Sequence, residues 1–177
     1  YQQGFDRYQL PTAQLLLTED DFASRTRYLN LRNTMFRLLE MGVLPIVNEN
    51  DSISTSEIEE PEDRKGSVFG DNDELSALVA SKLDADLLLL LTDVDGLYPA
   101  SPAGEGDKNG KPLSIVREIT SEITAMTDDR LDERSRGGMA SKLQAITIAL
   151  QSGIPAVIVN GMKADIVREA LEGEDVG

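Results

Sequence analysis

The chain contains no cysteine and no histidine among its 177 residues. Without cysteine there is no disulfide, no thiol nucleophile and no thiolate zinc site. Without histidine there is no Ser-His-Asp triad and no imidazole base. Long apolar runs are missing too. The longest, Leu87 to Leu91, is the size of a strand and far short of a membrane span. No low-complexity tract, internal repeat or signal-like leader is visible. Positive charge is scarce. With 17 basic against 32 acidic residues the net charge is −15, which argues against nucleic acid and against a membrane as partner. Carboxylate, lysine, amide and hydroxyl chemistry remain. They suit phosphoryl or acyl transfer, where positioning and charge neutralisation carry most of the rate. A cleft that takes an anion in such a chain must be locally positive, through a lysine, a helix N-terminus or a bound metal ion.

A hydrophobic content of 40% and a length of 177 residues fit one globular domain with a sizeable core. Residues 13–17 form a short apolar run. Thr18 and Asp21 then have the spacing of a helix N-cap and its capping partner. Phe22, Tyr28, Leu31, Met35, Phe36 and Leu38 make a helical stripe that stops at Gly42. Residues 43–47 read as a strand, with Pro45 suited to an edge or a strand start. A polar loop runs from Asn48 to about Gly70, followed by a helix from Asp71 or Asn72 to Leu83, with Asp71 and Glu74 at capping-box spacing. Residues 86–91, apolar without alternation, predict a parallel strand covered on both faces. A short strand is expected near Ser114–Val116. A helix is expected over about Gly138–Gln151, with Met139, Leu143, Ile146 and Leu150 on one face. Residues 155–159 read as one more strand, followed by a short helix. This alternation predicts an α/β fold, a three-layer sandwich with a mainly parallel central sheet. Ligands of such sheets sit beyond the carboxyl ends of the strands. Asn48–Asp51, Thr92–Asp95 and Asn160–Gly161 occupy those ends.

Four segments carry chemistry. Asn48-Glu49-Asn50-Asp51 could grip a zwitterion, carboxylates accepting from the ammonium and amides donating to the carboxylate; it also suits a plain polar turn. Gly70-Asp71-Asn72-Asp73 opens a helix, and Asp71 alone would be an ordinary N-cap. Three polar residues in a row exceed what a cap requires. Thr92-Asp93-Val94-Asp95-Gly96 is a turn in its second half, while Thr92 and Asp93 stand where a nucleotide could lie. Arg136-Gly137-Gly138-Met139-Ala140-Ser141-Lys142 is neither a Walker A loop nor a GxGxxG fingerprint. Its glycines before a helix expose backbone N–H groups, with Lys142 one turn inside. An anion cradle and a generic helix start both fit.

Taken together and in this order, Asn48–Ser54, Gly70–Ala77, Thr92–Tyr98 and Gly137–Lys142 resemble the signature segments of the glutamate 5-kinases, within the amino-acid-kinase superfamily. Ala13–Thr18 and Arg27–Thr34 also match that pattern. The resemblance implies an ATP-dependent, Mg²⁺-assisted phosphorylation of the γ-carboxylate of L-glutamate, the first step of proline synthesis. It implies that Asn48, Asp51, Asn72 and Asp73 hold glutamate. Thr92 and Asp93 would border ATP, and Arg136, Gly137, Gly138, Met139, Ala140, Ser141 and Lys142 would surround it. Asp71 and Lys142 would be catalytic, with no protein metal ligand, because Mg²⁺ would bridge the ATP phosphates. A cytoplasmic homo-oligomer inhibited by proline is also implied.

Against the family pattern, the segment with the first strand, a catalytic lysine, a glycine-rich phosphate loop and a substrate-binding serine is absent. The expectation is therefore an N-terminally truncated kinase domain over residues 1–177, without the RNA-binding-like C-terminal domain of some members and inactive alone. Residues 58–68 exceed the usual link by roughly a turn or two of chain and read as an acidic flap or disordered loop. Arg136 stands where threonine is common. Two other readings stay open: a kinase of the same superfamily acting on a nucleoside monophosphate or another amino acid, and a non-catalytic amino-acid sensor.

Overall fold

Residues 1–50, 72–99, 111–128 and 138–176 are described by a computed structural model of the chain. The chain divides into two units, Tyr1–Leu75 and Ser76–Gly177.

In the first unit, helix α1 (Gln2–Asp6) leads into strand β1 (Thr12–Leu17), which pairs in parallel with β2 (Leu44–Glu49). The register runs from Thr12 opposite Leu44 to Leu17 opposite Glu49. Backbone bonds extend the ladder at both ends, Leu44 N–H to the Pro11 carbonyl and Asn50 N–H to that of Leu17, each at 2.8 Å. Pro45 lies second in β2, opposite Ala13. A parallel pair needs a crossover. Here it is helical, but in two pieces, α2 (Asp20–Ala23) and α3 (Arg25–Glu40), instead of the single helix expected from the stripe. The break is at Ser24, whose extended backbone (φ −91°, ψ 123°) ends one helix and caps the next. The N-cap of α2 is Glu19, one residue past the expected Thr18, and of the expected capping pair only the contact from Asp21 back to Thr18 forms. The Asp21 carboxylate accepts from Thr18 N–H at 2.8 Å and from its hydroxyl at 3.0 Å. At the far end Gly42, at φ +70°, turns the chain out of α3 and Val43 N–H returns to the Leu38 carbonyl at 2.8 Å.

In the second unit, β3 (Leu88–Thr92) pairs in parallel with β4 (Ala156–Asn160), so that Thr92 stands opposite Asn160. Helix α4 (Asn72–Leu83) spans the division between the units. Beyond β3 come α5 (Ser121–Asp128), α6 (Met139–Gln151) and, after β4, α7 (Ile166–Glu172). The core joins Ala77 and Ala80 of α4, Leu88 and Leu90 of β3, Ala145 and Ala149 of α6, and Ile154. Helix α6 ends at Gln151, with Ser152 as its C-cap. Gly153, at φ +75°, then lets Ile154 N–H bond back to the Ala149 carbonyl at 2.9 Å.

The α/β class and the parallel pairing are as the sequence predicts. The described strands form two separate two-stranded sheets. Three local expectations change. Residues 114–116 are not a strand; the segment touches the turn after β3 through one backbone bond, Leu113 N–H to the Leu97 carbonyl at 2.7 Å. Strand β3 is not covered on both faces, for Leu91 is 51% exposed while Leu88 and Leu90 are buried. The buried side of α6 is Lys142, Leu143, Ala145 and Ala149, whereas Leu150 of the predicted stripe is 43% exposed. Alanine brings a helix backbone close to its neighbours, so the small side faces the core and larger side chains flank it.

Ala145 has no exposed surface, so a larger side chain there must displace its neighbours. Ala145→Leu should destabilise the protein by about 1–3 kcal/mol through overpacking. Denaturant titration measures it, and an unchanged midpoint would contradict the packing described.

Candidate functional site

The candidate residues sit at strand exits and helix starts. In the first unit Asn48 is the fifth residue of β2, exposed and opposite Leu16. Asn72 and Asp73 begin α4, Asn72 exposed and Asp73 half-buried. Asp73 and Glu74 place two carboxylates in the first turn, where the helix dipole favours negative charge. Asp73 is not without a partner. Asp51 and Asp71, the other two members predicted for this region, lie outside the described residues, as do Arg136 and Gly137.

In the second unit the parallel register brings the exits of β3 and β4 together. Gly161 N–H donates to the Thr92 carbonyl at 2.8 Å, continuing the ladder by one bond. A side chain at Gly161 would meet Leu91, since an added Cβ would lie 3.2 Å from the leucine Cβ and Cδ2. The Thr92 hydroxyl donates to the Asp93 carboxylate at 3.3 Å, and Asp93 is exposed. Two residues on, Asp95 Oδ1 accepts from Asn160 Nδ2 at 2.8 Å and stands 2.9 Å from Lys163 Nζ. Asn160 Oδ1 in turn accepts from Met162 N–H at 2.9 Å. The hydrogen bonds from Lys163 and Asn160, with the lysine charge, hold the Asp95 carboxyl below the usual carboxylate range; desolvation opposes them only in part.

Helix α6 begins at Gly138, whose backbone is extended (φ −71°, ψ −171°) and which has no side chain to cap the first turn. Such a start leaves N–H groups able to take an anion. Met139, Ala140 and Ser141 form that first turn, and Lys142 N–H bonds the Gly138 carbonyl at 3.4 Å. Lys142 is 9% exposed, the one buried charged residue among those described, and neither it nor Ser141 lacks a partner. No buried side-chain nitrogen or oxygen among the described residues is left without a hydrogen bond.

An apolar cleft of about 190 Å³ lies beside β4, lined by Leu97, Leu113, Leu143, Ile146, Leu150 and Ile158 among others. None of the predicted site residues lines it, and no charged group does. No group of three acidic residues among those described could hold a metal ion. The sequence reading missed Lys163 and took Asp95 as a turn residue only. The available signal was a cation three residues beyond the end of a strand in a strongly acidic chain.

The sequence pattern of the Amino acid kinase family matches residues 1–160. Proteins named "Glutamate 5-kinase" align with all 177 residues: that of Trichlorobacter lovleyi at 45% identity, that of Methanosarcina mazei at 44% and that of Moorella thermoacetica at 46%. The chain spans 44% of the length of each of these relatives. A match over residues 1–160, joined to parallel strands whose exits gather polar groups, leads to one assignment: the chain belongs to the amino acid kinase family.

Proposed function

We propose that the full-length protein transfers the γ-phosphoryl group of ATP to the side-chain carboxylate of L-glutamate, forming γ-glutamyl phosphate for proline biosynthesis. The observation that carries this reading is identity of 44–46% over all 177 residues with proteins named for that reaction. In this reading residues 1–177 belong to a single kinase domain. The enzyme is a cytoplasmic homo-oligomer, and proline acts as its feedback inhibitor.

The reaction joins two anions. A glutamate γ-carboxylate is already ionised at neutral pH, so no base has to remove a proton. One carboxylate oxygen attacks the γ-phosphorus, a new P–O bond forms, and the bond to the bridging oxygen breaks with its electron pair leaving on ADP. Proton transfer is not required, which suits a chain without histidine. The obstacle is charge repulsion, and the residues are assigned accordingly. Asp51 and Asp73 accept from the glutamate ammonium, while Asn48 and Asn72 donate to its α-carboxylate. Thr92 and Asp93 border the nucleotide. Residues 136–142 take its phosphates with the uncapped helix start at Gly138. Lys142 offsets charge on the transferring group. Its low exposure favours that role, because little water competes for the ammonium. Asp71 orients the lysine side chains. Mg²⁺, when bound with the nucleotide, would supply further neutralisation of the phosphate charge.

Three measurements on the full-length protein test these assignments. Coupled ADP release should require glutamate and be absent with aspartate or UMP. Turnover with UMP and none with glutamate would overturn the reading. Asp73→Asn should raise KM for glutamate about 10- to 100-fold, the effect of losing one charged hydrogen bond, with KM for ATP little changed. An unaltered glutamate KM would remove Asp73 from the acceptor site. Lys142→Met should lower kcat about 10²- to 10³-fold while glutamate binding persists. A kcat close to wild type would show that Lys142 serves the core alone.

A further inference from the structure

We infer that Asp95 is a positioning residue for nucleotide binding: its carboxylate ties the exit of β4 to the exit of β3 and so fixes Thr92 and Asp93. The inference rests on the reading that Thr92 and Asp93 border ATP. Two anchors hold the turn after β3. At its start, Gly161 N–H donates to the Thr92 carbonyl at 2.8 Å. At its far side, Asp95 Oδ1 accepts from Asn160 Nδ2 at 2.8 Å and pairs with Lys163 Nζ at 2.9 Å. Thr92 carries the first anchor and Asp93 lies between the two, so both ends of the short segment are tied to the end of β4 and the turn that follows it.

The partners on β4 are themselves ordered. Asn160 ends the strand opposite Thr92, its side-chain oxygen is occupied by Met162 N–H at 2.9 Å, and its carbonyl accepts from Lys163 N–H at 3.1 Å. The amide that reaches Asp95 therefore points from a locked turn. Without Asp95, the turn would keep its backbone bonds at Thr92 and Leu97 but lose its side-chain tie to Asn160 and Lys163, and Asp93 and Val94 between them would be held less firmly.

Charge adds a second effect. Asp95 and Lys163 are 40% and 47% exposed, and ion pairs between such groups contribute little to stability. They matter here because a triphosphate is the neighbour. Lys163 neutralises a carboxylate that would otherwise repel the nucleotide, so losing the lysine should hurt ATP binding more than losing the pair as a whole. A purely structural ion pair would not produce that asymmetry.

The experiment is steady-state kinetics on the full-length protein, varying ATP at saturating glutamate and the reverse. The variants are Asp95→Ala, Lys163→Met, Asn160→Ala and the double variant Asp95→Ala/Lys163→Met, with Thr92→Ala and Asp93→Ala as reference. Asp95→Ala should raise KM for ATP about five- to tenfold, with KM for glutamate within about twofold of wild type. Lys163→Met should raise it at least as much, and more than the double variant, which should also fall well short of the product of the two. If Thr92→Ala or Asp93→Ala raises KM for ATP but Asp95→Ala does not, the positioning role is wrong and the nucleotide assignment stands. When none of these variants changes it, the nucleotide assignment fails and the inference falls with it. Should Asp95→Ala not fold, Asn160→Ala and Lys163→Met decide, and an unchanged ATP KM in both contradicts the role.

Discussion

Parallel pairing is the constraint on which the site depends. Two strands running in the same direction leave their sheet at the same edge, so whatever follows one lies beside whatever follows the other. In this chain Thr92 is opposite Asn160, and Leu17 is opposite Glu49. The polar residues after β3 and β4 are thereby neighbours although 65 positions separate Asp95 from Asn160. The leucines of β3 and the alanines of α4 and α6 supply the apolar contact that keeps that register. A slip of one residue would turn Leu88 and Leu90 out of the core and separate the Asn160 amide from Asp95.

Electrostatics set the second requirement. A chain of net charge −15 must collect positive potential locally before it can hold a nucleotide. In the proposed reading two features would supply it: helix α6 begins without a side-chain cap, and Lys142 is set one turn inside that start. Lys163 stands against Asp95 at the exit of β4 and cancels a negative charge there. On the proposed acceptor side, Asn48 lies next to last in β2 and Asn72 and Asp73 open a helix, groups that would suit an amino acid's carboxylate and ammonium.

Much of this was legible in the sequence, for physical reasons. Alternating apolar runs and helical stripes fix α/β order, and Gly42 and Gly153 mark helix ends because both sit at positive φ, where other residues are strained. The four polar segments could be found because each stands at a strand exit or a helix start, where runs of polar and glycine residues interrupt the apolar pattern. What pattern alone missed depends on three-dimensional packing. The side of α6 that meets the core is chosen by Ala145 and Ala149, whose small size carries no strong hydrophobic signal. The break at Ser24 turns on one backbone conformation inside a continuous stripe. Lys163 gains meaning only once the register sets Asn160 beside Thr92 and brings Asp95 within reach. Asp51, Asp71, Arg136 and Gly137 were named from the sequence and lie outside the described residues.

The proposed reaction requires that a carboxylate, and no other group, receive the phosphoryl. Trapping decides this directly, because hydroxylamine converts an acyl phosphate to a hydroxamate that mass spectrometry identifies. Incubated with ATP, Mg²⁺, glutamate and hydroxylamine, the full-length protein should yield γ-glutamyl hydroxamate in proportion to the ADP released. ADP formed with no hydroxamate would contradict the account.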